Sequence, residues 1–272
     1  MGLLTALLYR KYEKLIIGII SASLLVLIGY FGSFLPEILQ GNAIQQQINW
    51  VEVLSIHWSF HLDGLSLFFT LLISIFGLLI FWYATSYMKE YAQRNRFFGF
   101  FFLFMGSMLG LVLSSNTISL FVFWELTSLS SFLLIGFTHE KDSSRKAARQ
   151  ALLVTAGGGL ALMAGFILLE AMTQTGFNLQ EALSSAQTIK THGLMEATIL
   201  LVALGAFTKS AQFPFHFWLP NAMAAPTPVS AYLHSATMVK AGVYLVLRLN
   251  PLFESIALWS NLLGIVGAIT MT

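Results

Sequence analysis

Four ionisable side chains lie in apolar stretches where a membrane helix normally carries none. Glu125 lies in LFVFWELTSLSSFLLIGF, Lys209 in ALGAFTKSAQF, and His234 and Lys240 in SAYLHSATMVKAGVYLVL. A charged side chain at the centre of a membrane helix costs about 2.5–3.5 kcal/mol on insertion scales. Because charges at this depth usually mark an ion or proton route, the four residues are candidates for a proton path.

Glu125 and Lys209 each also allow a purely structural interpretation. A carboxyl group can serve helix packing, and a lysine can extend along its helix toward the membrane surface. Apolar residues continue on both sides of Lys209, so the membrane surface is not near. Burial disfavours a charged lysine, whereas a nearby carboxylate favours it. A lysine between those influences can change its charge when its partner moves, as a proton-transfer site requires.

His234 and Lys240 are six residues apart. Six residues advance an α-helix by about 600°, so these side chains share no face and would communicate only through water or a neighbouring helix. A lone histidine on an apolar face is often held by a backbone carbonyl, which is the structural interpretation of His234. Because histidine titrates near neutral pH, the functional interpretation stays open beside it.

The stretch between Lys209 and His234 predicts a broken helix. A proline inside a helix removes a backbone donor and clashes with the preceding turn. The carbonyl groups that such a break frees must be satisfied by protein or by water in a cavity. Local hydration is therefore predicted beside Lys209. The residues of the break are Pro214, His216, Pro220, Pro226 and Pro228.

The composition is that of a polytopic membrane protein. Of 272 residues, 57% are apolar and only 10% are charged, with a mean hydropathy of +0.77, whereas soluble domains average about 25% charged residues. The chain has no cysteine, which excludes disulfides and thiolate ligation of zinc or iron–sulfur clusters. His57, His61 and Asp63 suggest a metal site only weakly, since no further ligand is placed. No metal, cofactor or nucleic-acid partner is predicted.

Glycines in the next apolar run predict close packing. Gly157, Ala161 and Gly165 are spaced by four, as on a helix face that approaches its neighbour closely. The triple glycine at 157–159 precedes no Lys-Ser or Lys-Thr pair, so it is not interpreted as a phosphate-binding loop.

The apolar runs predict an all-α transmembrane helix bundle of about eight spans, since a crossing needs about 20 apolar residues. We expect residues 1–272 to form a single membrane domain that belongs to a longer protein, because the last apolar run has no polar cap. The predicted spans are 15–35, 64–87, 97–113, 117–137, 149–169, 195–222 (broken), 227–248 and 256–272.

The loops between these spans predict the orientation. Ten of the fourteen basic residues lie in alternate segments, namely loops 9–14, 88–96 and 138–148 together with Arg149. The intervening loops 36–63 and 170–194 contain Lys190 as their single basic residue. Because cytoplasmic loops carry excess lysine and arginine, we expect the basic segments on the cytoplasmic side and Arg248 at the outer end of its helix.

The two outer loops carry local patterns. Alternating apolar residues at 56–62 favour a short strand or an interfacial ribbon. In the second loop Phe177, Leu179, Ala182 and Leu183 are spaced for one face of a short helix.

Three segments resemble one family, the antiporter-like membrane subunits. This family comprises the proton-pumping subunits of respiratory complex I (NADH-quinone oxidoreductase) and the large subunits of Mrp-type Na+/H+ antiporters. The segments are LDGLSLFF at 62–69, FWELTSLSSFLLIGF at 123–137, and the stretch from FTKSAQFPF to VLRL at 207–249. Within the family, SAYLHSATMVKAG is most similar to the A-type large subunits of Mrp antiporters.

The resemblance implies roles for the four ionisable residues. Glu125 matches the carboxylate of the fifth family helix and Lys209 the lysine of the broken seventh helix, and in the family these two form a pair. Lys240 matches the bridging lysine of the eighth helix, and His234 a family position in the same helix. In the family, protons move from the pair along a hydrated axis to a group on a broken twelfth helix, before which this chain ends.

The resemblance also implies an architecture and partners. The chain corresponds to the first half of an antiporter-like inverted-repeat fold, with the first family helix reduced to a stub. It implies a secondary transporter subunit without a cofactor, rather than an enzyme, in a bacterial or archaeal cytoplasmic membrane. The implied partners are the bilayer, other subunits of a complex, H+ and Na+. Two alternatives stay open: a membrane subunit of NADH-quinone oxidoreductase, and a non-transporting piece that only packs in a complex.

Overall fold

A computed structural model describes the backbone of residues 2–51 and 56–272 and the side chains of residues 13–48 and 58–272. Two antiparallel strands, β1 (Ile44–Val51) and β2 (Ile56–Leu62), form a hairpin. The helices are α1 (Gly2–Gly32), α2 (Leu35–Leu39), α3 (Gly64–Tyr87), α4 (Arg94–Leu113), α5 (Thr117–Ile135), α6 (Asp142–Thr173), α7 (Leu179–Ser184), α8 (Ala186–Ile189), α9 (Met195–Lys209), α10 (Trp218–Ala222), α11 (Thr227–Val229), α12 (Met238–Phe253) and α13 (Ala257–Met271). A π-helix (Ser230–Thr237) joins α11 to α12, and 3-10 turns lie at Met88–Glu90 and Phe215–Phe217.

Several helices are long enough to cross a bilayer. Within the described residues, five helices have the necessary length and apolar composition: Glu13–Leu39, Gly64–Glu90, Arg94–Leu113, Thr117–Ile135 and Asp142–Thr173. Helix α13 is apolar but shorter, and the chain is continuously helical from Thr227 to Phe253. The predicted all-α bundle with one broken helix is therefore confirmed, and the chain is a multi-pass membrane protein.

Most helices pack against helices that are close to them in the sequence. Helix α6 packs against α5 and α9, α4 against α3 and α5, and α12 against α9. Aromatic side chains fill the centre of the bundle, among them Phe97, Phe101, Phe104, Trp124 and Tyr232. Large apolar residues such as Leu153 and Leu160 point outward, as expected of surfaces that face lipid.

The structure corrects two predicted boundaries. Helix α6 begins at Asp142 rather than at 149, and it carries Arg145, Lys146 and Arg149 on its first two turns. Helix α1 begins at Gly2 rather than at 15, so the basic residues of segment 9–14 lie on a helix. No glycine or proline lies between residues 3 and 17, and lysine, arginine and glutamate are good helix formers. Hydropathy marks the membrane boundary, not the end of the helix.

The loops at 36–63 and 170–194 fold onto the tight turn between α4 and α5. The alternating pattern at 56–62 is strand β2, paired with β1. Ser115 N donates to Ser59 O at 2.9 Å, and Thr117 N donates to Phe177 O at 2.9 Å. Phe177 has a positive φ of 64° and precedes α7, so it lies outside the predicted helical face. Both loops thereby close the same end of the bundle.

Candidate functional site

Lys209 is fully buried at the last position of α9. Its Nζ donates to the carbonyl oxygen of Trp124 at 3.0 Å and to the hydroxyl of Ser128 at 2.7 Å. The same nitrogen lies 5.0 Å from the centre of the Trp124 ring, within the range of a cation–π interaction. One turn of α5 therefore supplies all these contacts.

Glu125 follows Trp124 on α5, which places its carboxyl group beside the binding site of Lys209. In the part of the chain that the structure describes, no ion pair within 4.0 Å joins Glu125 to Lys209. The two groups interact electrostatically, and Oε1 of Glu125 is buried without a hydrogen-bond partner among the described residues. Such an unpartnered atom costs about 1–3 kcal/mol.

Glycines of α6 make room for this site. A Cβ on Gly159 would overlap Oε1 of Glu125, and a Cβ on Gly158 would overlap the hydroxyl of Thr208, the residue before Lys209. Helix α6 can therefore lie directly against both α5 and α9 only because these positions have no side chain.

The predicted glycine face is partly wrong. Gly165 does pack closely, since a Cβ there would lie 3.0 Å from Val202. Gly157, in contrast, is exposed and has nothing within 4 Å. The spacing of four residues predicted that the face through Gly157 packs against a neighbouring helix. The face that packs is instead the one through Gly158, the next residue along α6. Gly157 instead points outward.

The helix break begins directly after Lys209. Ala211 adopts a positive φ of 52°, and Pro214 follows three residues later, where the helix cannot resume. Protein donors satisfy two of the freed carbonyls: Gln212 N donates to Phe207 O at 2.9 Å, and Trp218 Nε1 donates to Thr208 O at 2.9 Å. Water beside Lys209 remains a prediction.

The other residues of the break have different positions. His216 is exposed and stacks on Phe213 with ring centres 5.9 Å apart, and Pro220 lies within α10. Pro226 precedes α11 and Pro228 lies in its first turn. A first-turn proline loses no helical hydrogen bond, so these last two prolines start a helix rather than interrupt one.

His234 lies in the π-helix and is 7% exposed. Neither ring nitrogen has a hydrogen-bond partner among the described residues, so no backbone carbonyl there holds the ring. The ring packs edge-on against Trp218 at 6.1 Å, and Trp218 in turn binds the carbonyl of Thr208. Trp218 therefore connects His234 to the end of α9. The sequence pattern did not predict the π-helix, a distortion that is frequent at functional sites.

Lys240 is exposed on α12, and within the described residues it has no hydrogen-bond or ion-pair partner. The preceding residue, Val239, accepts a hydrogen bond from Ser210 at 2.7 Å. Lys209 directly precedes Ser210 and Lys240 directly follows Val239, so the hydrogen bond between Ser210 and Val239 brings the backbones of the two lysines close together. A Cβ on Gly242 would overlap the Ser210 hydroxyl, so α12 needs glycine there to reach α9. A cavity of about 210 Å³ lies beside Ser210, between α9, α12 and α13.

Sequence reasoning missed an ion pair at the end of the bundle where α3 begins. Arg248 donates to both carboxylate oxygens of Asp63, at 2.6 and 2.9 Å, and to the hydroxyl of Tyr244 at 3.1 Å. Asp63 also caps α3, accepting a bond from Ser66 N at 2.9 Å. A signal for this pair was present, because the orientation predicted from the loop charges puts Asp63 and Arg248 at the same end of the bundle.

This environment determines the charge of Asp63. Burial raises the pKa of its carboxyl group, but hydrogen bonds from His61 and Arg248 outweigh burial and hold that pKa well below its usual range. The residues that the structure describes contain no cluster of three metal-ligating side chains. The side chain of His57 lies outside the described residues.

The fold and these motifs match known proteins. Residues 114–272 match the family model for the membrane domain of NADH:quinone oxidoreductase and Mrp antiporters. The chain belongs to this family. Residues 48–98 match a second model, the chain 5 N-terminus of NADH-ubiquinone oxidoreductase (complex I). The resemblance predicted from the sequence motifs is therefore confirmed.

Individual relatives favour the antiporter branch of this family. The chain is 48% identical over 264 residues to a protein of Staphylococcus aureus (strain MSSA476) described as a proposed antiporter subunit, mnhA2, with 97% of this chain and 32% of the relative aligned. The relative from strain USA300 is also 48% identical over the same shares. The chain thus spans about a third of the length of these relatives.

Solved structures show the same fold. A chain of the Mrp complex from Dietzia sp. DQ12-45-1b superposes with a TM-score of 0.82 and 35% identity, over 97% of this chain and 28% of that one. A chain of the membrane-bound sulfane sulfur reductase, an archaeal respiratory membrane complex, superposes with a TM-score of 0.78 over 92% of this chain and 41% of that one. Because its identity is 17%, this second likeness concerns the fold alone.

Proposed function

We propose that the chain is part of a proton-translocating subunit of a multisubunit Na+/H+ antiporter, with Lys209 as the switchable proton carrier. The observation that carries this proposal is the position of Lys209, which is fully buried and bound by two uncharged oxygens of α5. On the same helix α5, Oε1 of Glu125 has no hydrogen-bond partner among the described residues. A helix-packing lysine would be expected to pair with that carboxylate. The 48% identity to an antiporter subunit supports the choice of activity.

The contacts of Lys209 suggest a two-state exchange. In one state its Nζ donates to Trp124 O and Ser128, as in the structure. In the other state Nζ turns to the neighbouring carboxylate of Glu125. The carboxylate favours the charged amine, so Lys209 takes up a proton when its Nζ turns to Glu125. The site formed by Trp124 O and Ser128 tolerates the neutral amine, so Lys209 releases the proton when its Nζ returns there. Glu125 would thus set the proton affinity of Lys209.

The onward path would use polar atoms that the protein itself leaves unsatisfied. Buried atoms without partners among the described residues include Glu125 Oε1, Ser230 Oγ and both ring nitrogens of His234. Buried polar groups of this kind usually bind water. Water along them would link the Glu125–Lys209 site to the π-helix, and Lys240 would be the next station on α12.

The membrane potential and the orientation complete the proposal. A charge that crosses the whole potential exchanges about 2.3 kcal/mol per 100 mV, which is enough to reset a pair of this kind. We place the basic segments on the cytoplasmic side of a bacterial or archaeal cytoplasmic membrane. The neighbours of the chain would be other subunits of the complex and the remaining part of its own subunit.

A second candidate is a membrane subunit of NADH-quinone oxidoreductase. The two family models support it. The model that matches residues 114–272 covers membrane domains of both NADH:quinone oxidoreductase and Mrp antiporters, and the model that matches residues 48–98 names complex I alone. The redox groups would then lie in other chains, and proton movement in this subunit would depend on NADH oxidation rather than on Na+.

The test is Na+-dependent proton flux in everted vesicles from a host without its own Na+/H+ antiporters. The full-length subunit is expressed with its genomic neighbours, as wild type, as Lys209→Ala and as Lys190→Ala, the last being an exposed lysine outside the site. We expect flux in the wild type and the Lys190 variant and none in the Lys209 variant at equal protein levels. Equal flux in all three removes Lys209 from the mechanism.

Two further arms separate the alternatives. NADH-driven proton pumping without Na+-dependent flux would favour the oxidoreductase subunit. Residues 1–272 expressed alone test whether this part transports by itself. Flux that requires both the genomic neighbours and the full-length subunit would agree with the proposal. A complex that assembles but conducts no protons under either condition would favour the non-transporting interpretation.

A further inference from the structure

A second cavity lies at the basic end of the bundle, where α4, α5 and α6 meet. Its volume is about 340 Å³. Three arginines and a histidine form one part of its wall, namely Arg96, Arg145, Arg149 and His139. Phe132 and Leu133 form an apolar part. We call this space the arginine cavity.

The positive charge of the arginine cavity is only partly neutralised. Arg145 binds Asp142 at 3.1 Å, but Lys146 binds the same carboxylate at 2.7 Å. Arg96 donates to the uncharged side chain of Gln93 at 3.0 Å and lies 5.2 Å from the centre of the Phe100 ring.

The third arginine has even fewer contacts. Arg149 is exposed, and the described residues give it no hydrogen-bond or ion-pair partner. Arg96 and Arg149 therefore line one cavity without a carboxylate partner in the described residues, an arrangement that attracts an anion. Guanidinium groups suit phosphate in particular, because they can donate two parallel hydrogen bonds to it.

The surface next to the cavity is apolar along both helices. Leu129 lies one turn before Leu133 on α5 and is exposed, and Leu153 lies one turn after Arg149 on α6 and is exposed. Residues four apart share a helix face. Each leucine therefore lies one helical turn from a residue of the cavity wall, on the side away from the connection between α5 and α6.

From this combination we propose that the arginine cavity binds the phosphate of an anionic phospholipid, with an acyl chain along Leu129 and Leu153. A free phosphate ion would use the arginines but not the apolar walls or the adjoining leucines. A phospholipid uses both, and basic pockets between membrane helices are suited to lipid head groups. The cavity is separate from the proposed proton site, since its wall includes neither Glu125 nor Lys209 nor the two residues that bind Lys209.

The test uses the assembled complex, delipidated in mild detergent and examined by native mass spectrometry with added lipid. Phosphatidylglycerol is the anionic probe, phosphatidylcholine the zwitterionic one and inorganic phosphate the competitor. Wild type is compared with Arg96→Gln/Arg149→Gln. A Lys89→Gln/Lys190→Gln variant loses the same charge outside the cavity, and Arg96→Lys/Arg149→Lys retains the charge.

We expect the wild type to retain phosphatidylglycerol about thirtyfold more than phosphatidylcholine, from about 1 kcal/mol for each of the two unpaired arginines near an anionic head group. This preference should disappear in the Arg→Gln variant and persist in the Lys89→Gln/Lys190→Gln variant. The Arg→Lys variant should keep part of it, because lysine retains the charge but cannot donate two parallel hydrogen bonds. Equal retention in wild type and Arg→Gln complexes would overturn the proposal. Displacement of the lipid by millimolar phosphate would overturn it in favour of a free-anion site. A complex that retains neither lipid would mean that a protein surface covers the cavity, and would overturn it as well.

Discussion

Oε1 of Glu125 occupies the space that any side chain at position 159 would need. The carboxyl group is therefore buried between α5 and α6 only because residue 159 is glycine. The exposed Gly157, two positions earlier on the same helix, faces no such constraint. This contrast provides a matched pair of substitutions.

Gly159→Ala should lower proton flux about tenfold or more, because the added methyl group must displace Glu125 or push α5 away at a cost of about 1–3 kcal/mol. Gly157→Ala adds the same methyl group into open space and should leave the flux within about twofold of wild type. Everted-vesicle flux, normalised to folded protein in the membrane, measures both. Similar flux in the two variants would show that the position of Glu125 is not set by Gly159.

Ser128→Ala should weaken the binding of Lys209, because Ser128 is one of its two oxygen acceptors. The buried amine then lacks one hydrogen bond, at a cost of about 1–3 kcal/mol, and should shift toward Glu125. We expect a change in the pH dependence of transport with little loss of protein. Ser130→Ala is the control, since the Ser130 hydroxyl binds the carbonyls of Leu126 and Thr127 on its own helix. An identical pH profile in both variants would contradict the assigned role.

Arg248→Gln should destabilise the protein by about 3 kcal/mol, because removing one partner leaves the Asp63 carboxylate largely buried without its ion pair. Lys146→Gln also breaks an ion pair, but both partners in that pair are more than half exposed, and exposed pairs contribute about 0–1 kcal/mol. Thermal unfolding in detergent should show a clearly larger fall in Tm for Arg248→Gln. Equal shifts would mean that the Asp63–Arg248 pair contributes no more than a surface pair.

Asp63 should also produce a defined pH dependence of stability. Its pKa in the folded protein is held below the usual range by His61 and Arg248, so its pairing stabilises the fold at every pH above the unfolded-state pKa of about 3.9. As the pH falls below that value, the unfolded chain takes up the proton first and the stabilisation decreases. The Tm difference between wild type and Asp63→Asn should thus shrink as the pH falls below about 4. A difference that stays unchanged from pH 5 down to pH 3 would contradict this account.

Much of the architecture follows from local chemistry and was predicted from the sequence. The apolar runs and the prolines after Lys209 indicated the bundle and its broken helix, because crossing a bilayer requires length and a proline cannot continue a helix. The four ionisable residues were found for the same reason, since charge at membrane depth is costly enough to stand out in any single span. The starts of α1 and α6 were missed because polar residues lower the local hydropathy there without ending the helix.

The partners of those residues depended on the tertiary structure. Lys209 lies on Trp124 and Ser128, more than eighty residues away, and the sequence motifs suggested Glu125 instead. The packed glycines were Gly158 and Gly159 rather than Gly157, and Arg248 of α12 met Asp63 at the start of α3. Each of these pairings depends on how far one helix is turned about its axis relative to the next. That rotation results from the packing of many side chains at once, so a periodic pattern within one helix identifies a face but not the residue that the face will meet.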